Sequence, residues 1–403
     1  MPAERSAAPA PGGTDVWITG YDTFTAFGHG ADALREHVFA GRPAFAPVER
    51  FDTEPFRNRY AAAHGTGPAP APALTETAID CARGALGAAK LDPATVDAHR
   101  AAVLLGTQGD FTGIHRFWQE TAAGRTPDPA DAHRSFAGGV PAAVADDLGF
   151  TGPRLAFINA CVASPSAVAH ACRLIEAGRV DVAVVGGGYL VEEEQFAKFD
   201  SGRTFARDGQ VRPFASGRSG MLLGDGVAAL VLESGAHLLR RGGRPLARIG
   251  GFGAAADAHH VVKPHPEGLG MARAVVRALG RARLGPTGIQ YVNAHGTGTE
   301  LNDLAETAAL HAAFGSHAGR LMVSSTKGTT GHLLEATGAV ELVVAVMALE
   351  SGTVPPTAGF DAPDPRCDLD WVPNEPRRAD LRRVLSLNAA FGGMNTAIIL
   401  EQP

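Results

Sequence analysis

Apolar and polar positions along the chain fall into short blocks of two kinds. Residues 16–20 (VWITG), 101–106 (AAVLLG), 155–159 (LAFIN), 180–188 (VDVAVVGGG) and 224–233 (GDGVAALVLE) are near-continuous apolar runs. This is the pattern of strands buried on both faces. Between them, residues 31–40, 75–87, 112–125 and 135–148, and a small-residue run from Cys161 to about Gly178, carry apolar residues at helical spacing. Residues 41–66, 68–73 and 192–210 show neither period and read as loops. The second half repeats this order. Strands are predicted at 247–253, 290–294, 321–325, 383–388 and 393–401, with helices over 268–279, 301–314 and 340–349. The run GMNTAIILE (393–401) answers DGVAALVLE (225–233) almost position for position.

Five ordered matches indicate an internal duplication, with halves spanning 13–240 and 246–403. The predicted fold class is α/β, internally duplicated, with alternating helix and sheet layers around a central buried helix pair. Each half is expected to hold a mostly parallel sheet. Ligands in such sheets sit beyond the carboxyl ends of the strands, so Cys161, His295, the turn 327–332 and Phe391 should meet at one cleft.

Composition narrows the function. With 45% hydrophobic and 19% charged residues the chain is a folded globular protein rather than a disordered one. A net charge of −6 gives no basis for binding nucleic acid or an anionic membrane, and no apolar run is long enough to span a bilayer. Residues 1–14 read as a frayed leader without a signal peptide. The four cysteines have no metal-ligand spacing, so no metal is expected and a reducing, cytoplasmic setting is the default.

Cys161 stands where an apolar strand turns into a helix of small residues. A thiol at a helix start faces unpaired N–H groups and the positive end of the helix dipole, which lowers its pKa and makes it a nucleophile. The alternative is an inert packing cysteine. His295 lies in NAHGTGTE (293–300) and His332 in SSTKGTTGH (324–332), five residues after Lys327. Glu341 interrupts an apolar run and should face inward, paired. A thiolate and one imidazole could serve a hydrolase. Two imidazoles suit a carbonyl oxygen that gains charge, as when an acyl thioester is extended through an enolate. Backbone N–H groups at Cys161 and near Phe391 would then hold the tetrahedral oxygen.

Cys161 after Asn-Ala, His295 in NAHGTGTELND, the stretch STKGTTGHLLEATGAVE and Phe391 in FGGMN together resemble the β-ketoacyl-acyl carrier protein synthases of the thiolase fold. Within that family they look like the elongating synthases of type II fatty acid and polyketide systems. The likeness implies that Cys161 accepts the acyl chain and that His295 and His332 hold the malonyl thioester carbonyl during decarboxylation. It also implies that Lys327 orders the His332 side, Glu341 pairs with Lys327, and Phe391 and Gly392 form the oxyanion hole and gate beside Ala389, Ala390 and Met394. It implies no cofactor beyond the phosphopantetheine arm of a carrier protein, and a homodimer or heterodimer of similar subunits built around the second strand. Ala390 stands where the family has glycine and should stiffen the gate, Ala389 should open space, and Val162 and Pro165 should reshape the acyl tunnel. These departures favour a specialised secondary-metabolic substrate. The end of the chain just after Glu401 suggests an acyl donor on a separate, acidic carrier protein, for which Arg57, Arg59, Arg203 and Arg207 are candidate contacts. A non-elongating acyltransferase or cyclase using the same thiol is the first alternative. A silent subunit like a chain-length factor is the second, and the retained Cys161, His295 and His332 speak against it.

Overall fold

The computed structural model describes residues 13–65 and 73–403; the predicted leader up to residue 12 and the Pro/Ala stretch over 68–72 lie outside them. Ten strands make up the principal sheets. In the first half these are β1 (Val16–Thr25), β2 (Ala101–Gly106), β3 (Arg154–Phe157), β4 (Val182–Tyr189) and β5 (Gly226–Ser234). In the second they are β6 (Ala247–Ala256), β7 (Tyr291–Asn293), β8 (Met322–Ser324), β9 (Arg383–Ala390) and β10 (Met394–Glu401). The first half pairs in the order β3-β2-β4-β5-β1 and the second in the matching order β8-β7-β9-β10-β6. The two meet only where Trp17 and Ile18 of β1 pair with Arg248 and Ala247 of β6. Each predicted strand match therefore falls on equivalent places in the two halves.

In each half four of the five strands point the same way, as expected, and one, β5 or β10, runs against them. β3, β2 and β4 run parallel, as do β8, β7 and β9, but the pairings of β5 with β4 and β1, and of β10 with β9 and β6, are antiparallel. The reason is plain for β9 and β10: only Phe391–Gly393 separates them, too short a link for a parallel crossover.

Six of the helices position the site: α1 (Leu74–Ala88), α2 (Ala163–Glu176), α3 (Glu193–Ser201), α4 (Leu269–Ala282), α5 (Glu300–Phe314) and α6 (Thr337–Ser351). α1 covers the outer face of the first sheet, and α4 and α5 cover that of the second. α2 and α6 lie between the sheets and touch both. A helix in that place must be apolar all round, and Thr337 through Leu349 are all buried.

Three expectations fail locally. Residues 192–210 are not simply a loop, because α3 forms within them. Its charged residues mask a face on which Phe196 packs against the nearby Phe205 and against Phe51 and Phe56, rings brought from a distant loop. Cys161 sits in a separate 3-10 turn, Ala160–Val162, just before α2. The second strand, β2, is paired on both sides and offers no edge; the open edge of this sheet is β3, flanked by exposed Ile158.

The inner helices meet at their starts. The Ala339 N–H donates to Ser164 Oγ at 3.0 Å, and a Cβ on Gly338 would lie 2.2 Å from Pro165 Cγ. Pro165, buried in the first turn of α2, is thus a packing partner of Gly338. Gly338→Ala gains helix propensity but overpacks this contact, and overpacking wins. The expected outcome is a loss of about 1–3 kcal/mol, read as a lower midpoint in urea unfolding.

Candidate active site

The turn that carries Cys161 is built by strain and close packing. Ala160 adopts φ 54°, a left-handed conformation uncommon outside glycine. Small residues let the turn and the start of α2 sit against the end of β2, where a Cβ on Gly106 would lie 2.4 Å from the Ser164 nitrogen. The Cys161 side chain is buried as a result. Burial pushes its thiol up to about 12, with the Glu335 carboxylate adding to the rise and the Lys327 charge opposing it. The thiol is therefore protonated at rest, and the lowering expected from the helix start does not prevail.

His332 leaves the turn after Lys327–Thr330 with its ring fixed in one tautomer. The Leu334 N–H donates to its Nδ1 at 3.1 Å. The Thr337 hydroxyl accepts the Leu333 N–H at 3.0 Å and so offers its own proton to the same Nδ1, also at 3.0 Å. With Nδ1 held as acceptor, the neutral ring carries its proton on Nε2. His295 follows β7, where Glu306 of α5 accepts the N–H groups of His295 at 2.6 Å and Gly296 at 2.7 Å. Its own Nδ1 is buried and has no hydrogen-bond partner among the described residues. The two rings stand edge to face, 5.3 Å between centroids. Burial and the Lys327 charge hold both imidazoles well below their ordinary pKa, so both are neutral.

Lys327 and Glu341 form a fully buried ion pair, Nζ to Oε1 2.5 Å, and Asn388 of β9 donates to Glu341 Oε2 at 2.5 Å. The pair satisfies its charges internally, as burial demands. Burial raises the Glu341 pKa, and Lys327 and Asn388 oppose that rise.

Cys161, His295 and His332 line one cavity of about 560 Å³, together with Ala389, Ala390 and Phe391. Phe391 is 44% exposed and stacks on Phe199 of α3, centroids 5.9 Å apart. The left-handed residues of this turn are Gly392 (φ 84°) and Gly393 (φ 71°), whereas Ala390 closes β9 and carries no such strain. The stiffening expected at Ala390 therefore has no basis. The Gly392 N–H donates to the Val261 carbonyl at 2.6 Å, which takes it out of any oxyanion hole. Met394 opens β10 behind the turn, its Cε 3.6 Å from where a Gly392 Cβ would be.

Of the four arginines, Arg57, Arg203 and Arg207 border a small pocket with Asp200, and only Arg203 also lines the main cavity. Arg57 is tied by its backbone N–H to the Asp200 carboxylate at 3.1 Å. Arg59 borders neither pocket. Sequence reasoning missed Lys198 and Lys263, exposed lysines in the cavity wall, and the supporting residues Thr337, Glu306 and Asn388. It also missed Glu335, although a carboxylate between Leu334 and Ala336 is as conspicuous as Glu341.

Models of the beta-ketoacyl synthase N-terminal and C-terminal domains match residues 71–237 and 246–361. The chain is 36% identical over 413 aligned positions to the tetracenomycin polyketide synthase ketoacyl synthase alpha subunit of Streptomyces glaucescens, covering 96% of this chain and 97% of that one. Among solved structures, the ishigamide ketosynthase/chain length factor superposes with a TM-score of 0.89 at 32% identity, covering 96% of this chain and 99% of that one. A type II acyl-carrier protein in complex with its hexaketide-bound ketosynthase gives a TM-score of 0.90 at 25% identity, with coverage of 96% and 99%.

The raised thiol pKa has a direct consequence. Only the thiolate alkylates, so its fraction grows about tenfold per pH unit below the pKa. In the free protein, iodoacetamide should modify Cys161 slowly at pH 7 and steadily faster up to pH 10, without a plateau. A plateau near pH 7 would show a thiol already ionised.

Proposed function

Because the chain belongs to the beta-ketoacyl synthase family, we propose that it catalyses decarboxylative condensation of a Cys161-bound acyl chain with a malonyl thioester on a carrier protein, in type II polyketide or specialised fatty acid synthesis. The observation that carries this reading is the pair of neutral imidazoles sharing a cavity with a buried thiol. Cys161 sulfur attacks the acyl thioester, its proton passes to the departing pantetheine sulfur, and an S-acyl cysteine results. A malonyl thioester then places its carbonyl oxygen at the imidazole N–H groups. Its carboxylate leaves as carbon dioxide, and the electron pair moves onto that oxygen as an enolate. Neutral N–H donors in a dry site suit this charge, because they stabilise the enolate without first losing a proton to solvent. The enolate carbon attacks the acyl carbonyl, a carbon–carbon bond forms, and Cys161 departs as thiolate and is reprotonated.

Lys327 and Glu341 act through the rings: burial first and the lysine charge second keep both imidazoles neutral, and Glu341 with Asn388 holds the lysine in place. In this reading the backbone N–H groups of Cys161 and Phe391 take the oxyanion, and Phe391 gates the cavity together with Phe199. The acyl donor is a carrier protein, with Lys198, Lys263 and Arg203 at the cavity as its first contacts. The second subunit is a homologous chain joined along the open β3 edge; the ishigamide ketosynthase likewise stands with a chain length factor. The four unpaired cysteines fit a reducing, cytoplasmic setting.

Incubation with acyl-carrier thioesters should add the acyl mass to Cys161, and Cys161→Ala should show none. Carbon dioxide release should require the malonyl thioester. Acylation without any malonyl-dependent product would favour the acyltransferase alternative, and an unmodified Cys161 with every acyl thioester would end the condensing reading.

A further inference from the structure

We propose that Glu335 selects the acyl chain on Cys161, favouring one that carries a hydroxyl or ammonium group over a plain alkyl chain. This rests on the condensing reading above, since it needs an acyl group on the sulfur. Glu335 is 2% exposed and lies in the turn Leu334–Ala336, which packs against the nucleophile turn Ala160–Val162. Its Oε1 accepts a hydrogen bond from Gln108 Nε2 at 2.5 Å, and the Gln108 oxygen accepts one from Gln195 Nε2 at 3.1 Å. Gln108 follows the end of β2 and Gln195 lies on α3, so three separate elements bring polar groups to one place. Tyr189, at the end of β4, adds a buried hydroxyl with no hydrogen-bond partner among the described residues. The Glu335 charge acts on that phenol and on the Cys161 thiol alike.

Condensation holds two thioesters at once. The open cavity on the histidine side receives the malonyl thioester with its arm, so the chain on sulfur must leave Cys161 in another direction. Packed on the Cys161 turn and the start of α2 are the ends of β2 and β4 and the Glu335 turn: a Cβ on Gly187 would lie 2.6 Å from the Glu335 carbonyl oxygen and 2.9 Å from Ser164 Cβ. The carboxyl and the two amides bond one another, but an alkyl chain laid along them leaves the Tyr189 hydroxyl unpaired and brings the carboxyl no further donor. A hydroxyl on the chain gives the carboxyl a donor, and an ammonium gives it a counter-charge. A site built for such a group rejects the analogue that lacks it.

The test follows acylation of Cys161 by mass spectrometry with butyryl, 3-hydroxybutyryl and 4-aminobutyryl groups, each presented on the carrier protein. One donor-bearing chain should load at least about tenfold faster than butyryl. Glu335→Leu should abolish or reverse that preference, and Gln108→Leu should weaken it even if the first variant folds poorly. Glu335→Gln keeps an acceptor without the charge, so it should preserve a hydroxyl preference and lose an ammonium one. Butyryl loading as fast as both other chains, or a preference unmoved by Glu335→Leu and Gln108→Leu, overturns the inference. A Cys161 that accepts none of the three overturns the condensing reading, and this inference with it.

Discussion

The site depends on where two helix starts meet. Ser164 and Ala339 share a hydrogen bond across the interface of α2 and α6, and Gly338 lets Pro165 come against the α6 backbone. Cys161 lies three residues before Ser164, and His332 five residues before Thr337, so this contact sets the distance between thiol and imidazole. Small side chains are needed here because the two helices must also fit between two sheets. A cavity-forming or bulky change at this seam would move the sulfur relative to both rings without touching either.

Burial sets the electrostatics. It disfavours charge on Cys161, His295 and His332, and on Glu341 too, where the ion pair with Lys327 and the Asn388 hydrogen bond oppose it. The Lys327 charge favours neutral rings and an ionised thiol, so one buried cation serves both partners of the reaction. Glu335 works against it at the sulfur. A resting thiol that is protonated suits an enzyme whose nucleophile should react only once a thioester has filled the cavity and displaced water. The Thr337 and Leu334 contacts then leave the His332 donor on the ring nitrogen that is free to reach substrate.

Much of this was legible in the sequence. The duplication was readable because buried strands give uninterrupted apolar runs, and β5 and β10 keep the same pattern to their closing glutamates. Cys161, His295, His332, Lys327 and Glu341 stood out as polar residues at strand ends or in apolar runs, and the fold brings them together. What failed was anything decided by distant parts of the chain. α3 was hidden because its buried face is completed by Phe51 and Phe56, far away in sequence. The direction of the Cys161 shift followed from depth of burial, which a local helix-start argument does not contain. The strain of the gate loop lies at Gly392 and Gly393 because β9 runs on through Ala390. Glu335 was passed over because it was read as part of a motif and not as a buried carboxyl in its own right.

The division of labour between the sulfur and the two rings is the central claim: Cys161 takes the acyl chain, and His295 and His332 handle the charge on the malonyl carbonyl. Release of labelled carbon dioxide from carboxyl-labelled malonyl-carrier protein by His295→Ala and His332→Ala, measured beside acyl loading of Cys161 in the same proteins, tests it most directly. Each variant should lose roughly 100- to 1,000-fold in decarboxylation, the usual cost of an oxyanion donor, while Cys161 still loads at close to the unaltered rate. Undiminished decarboxylation, or acyl loading lost in step with it, would contradict that division.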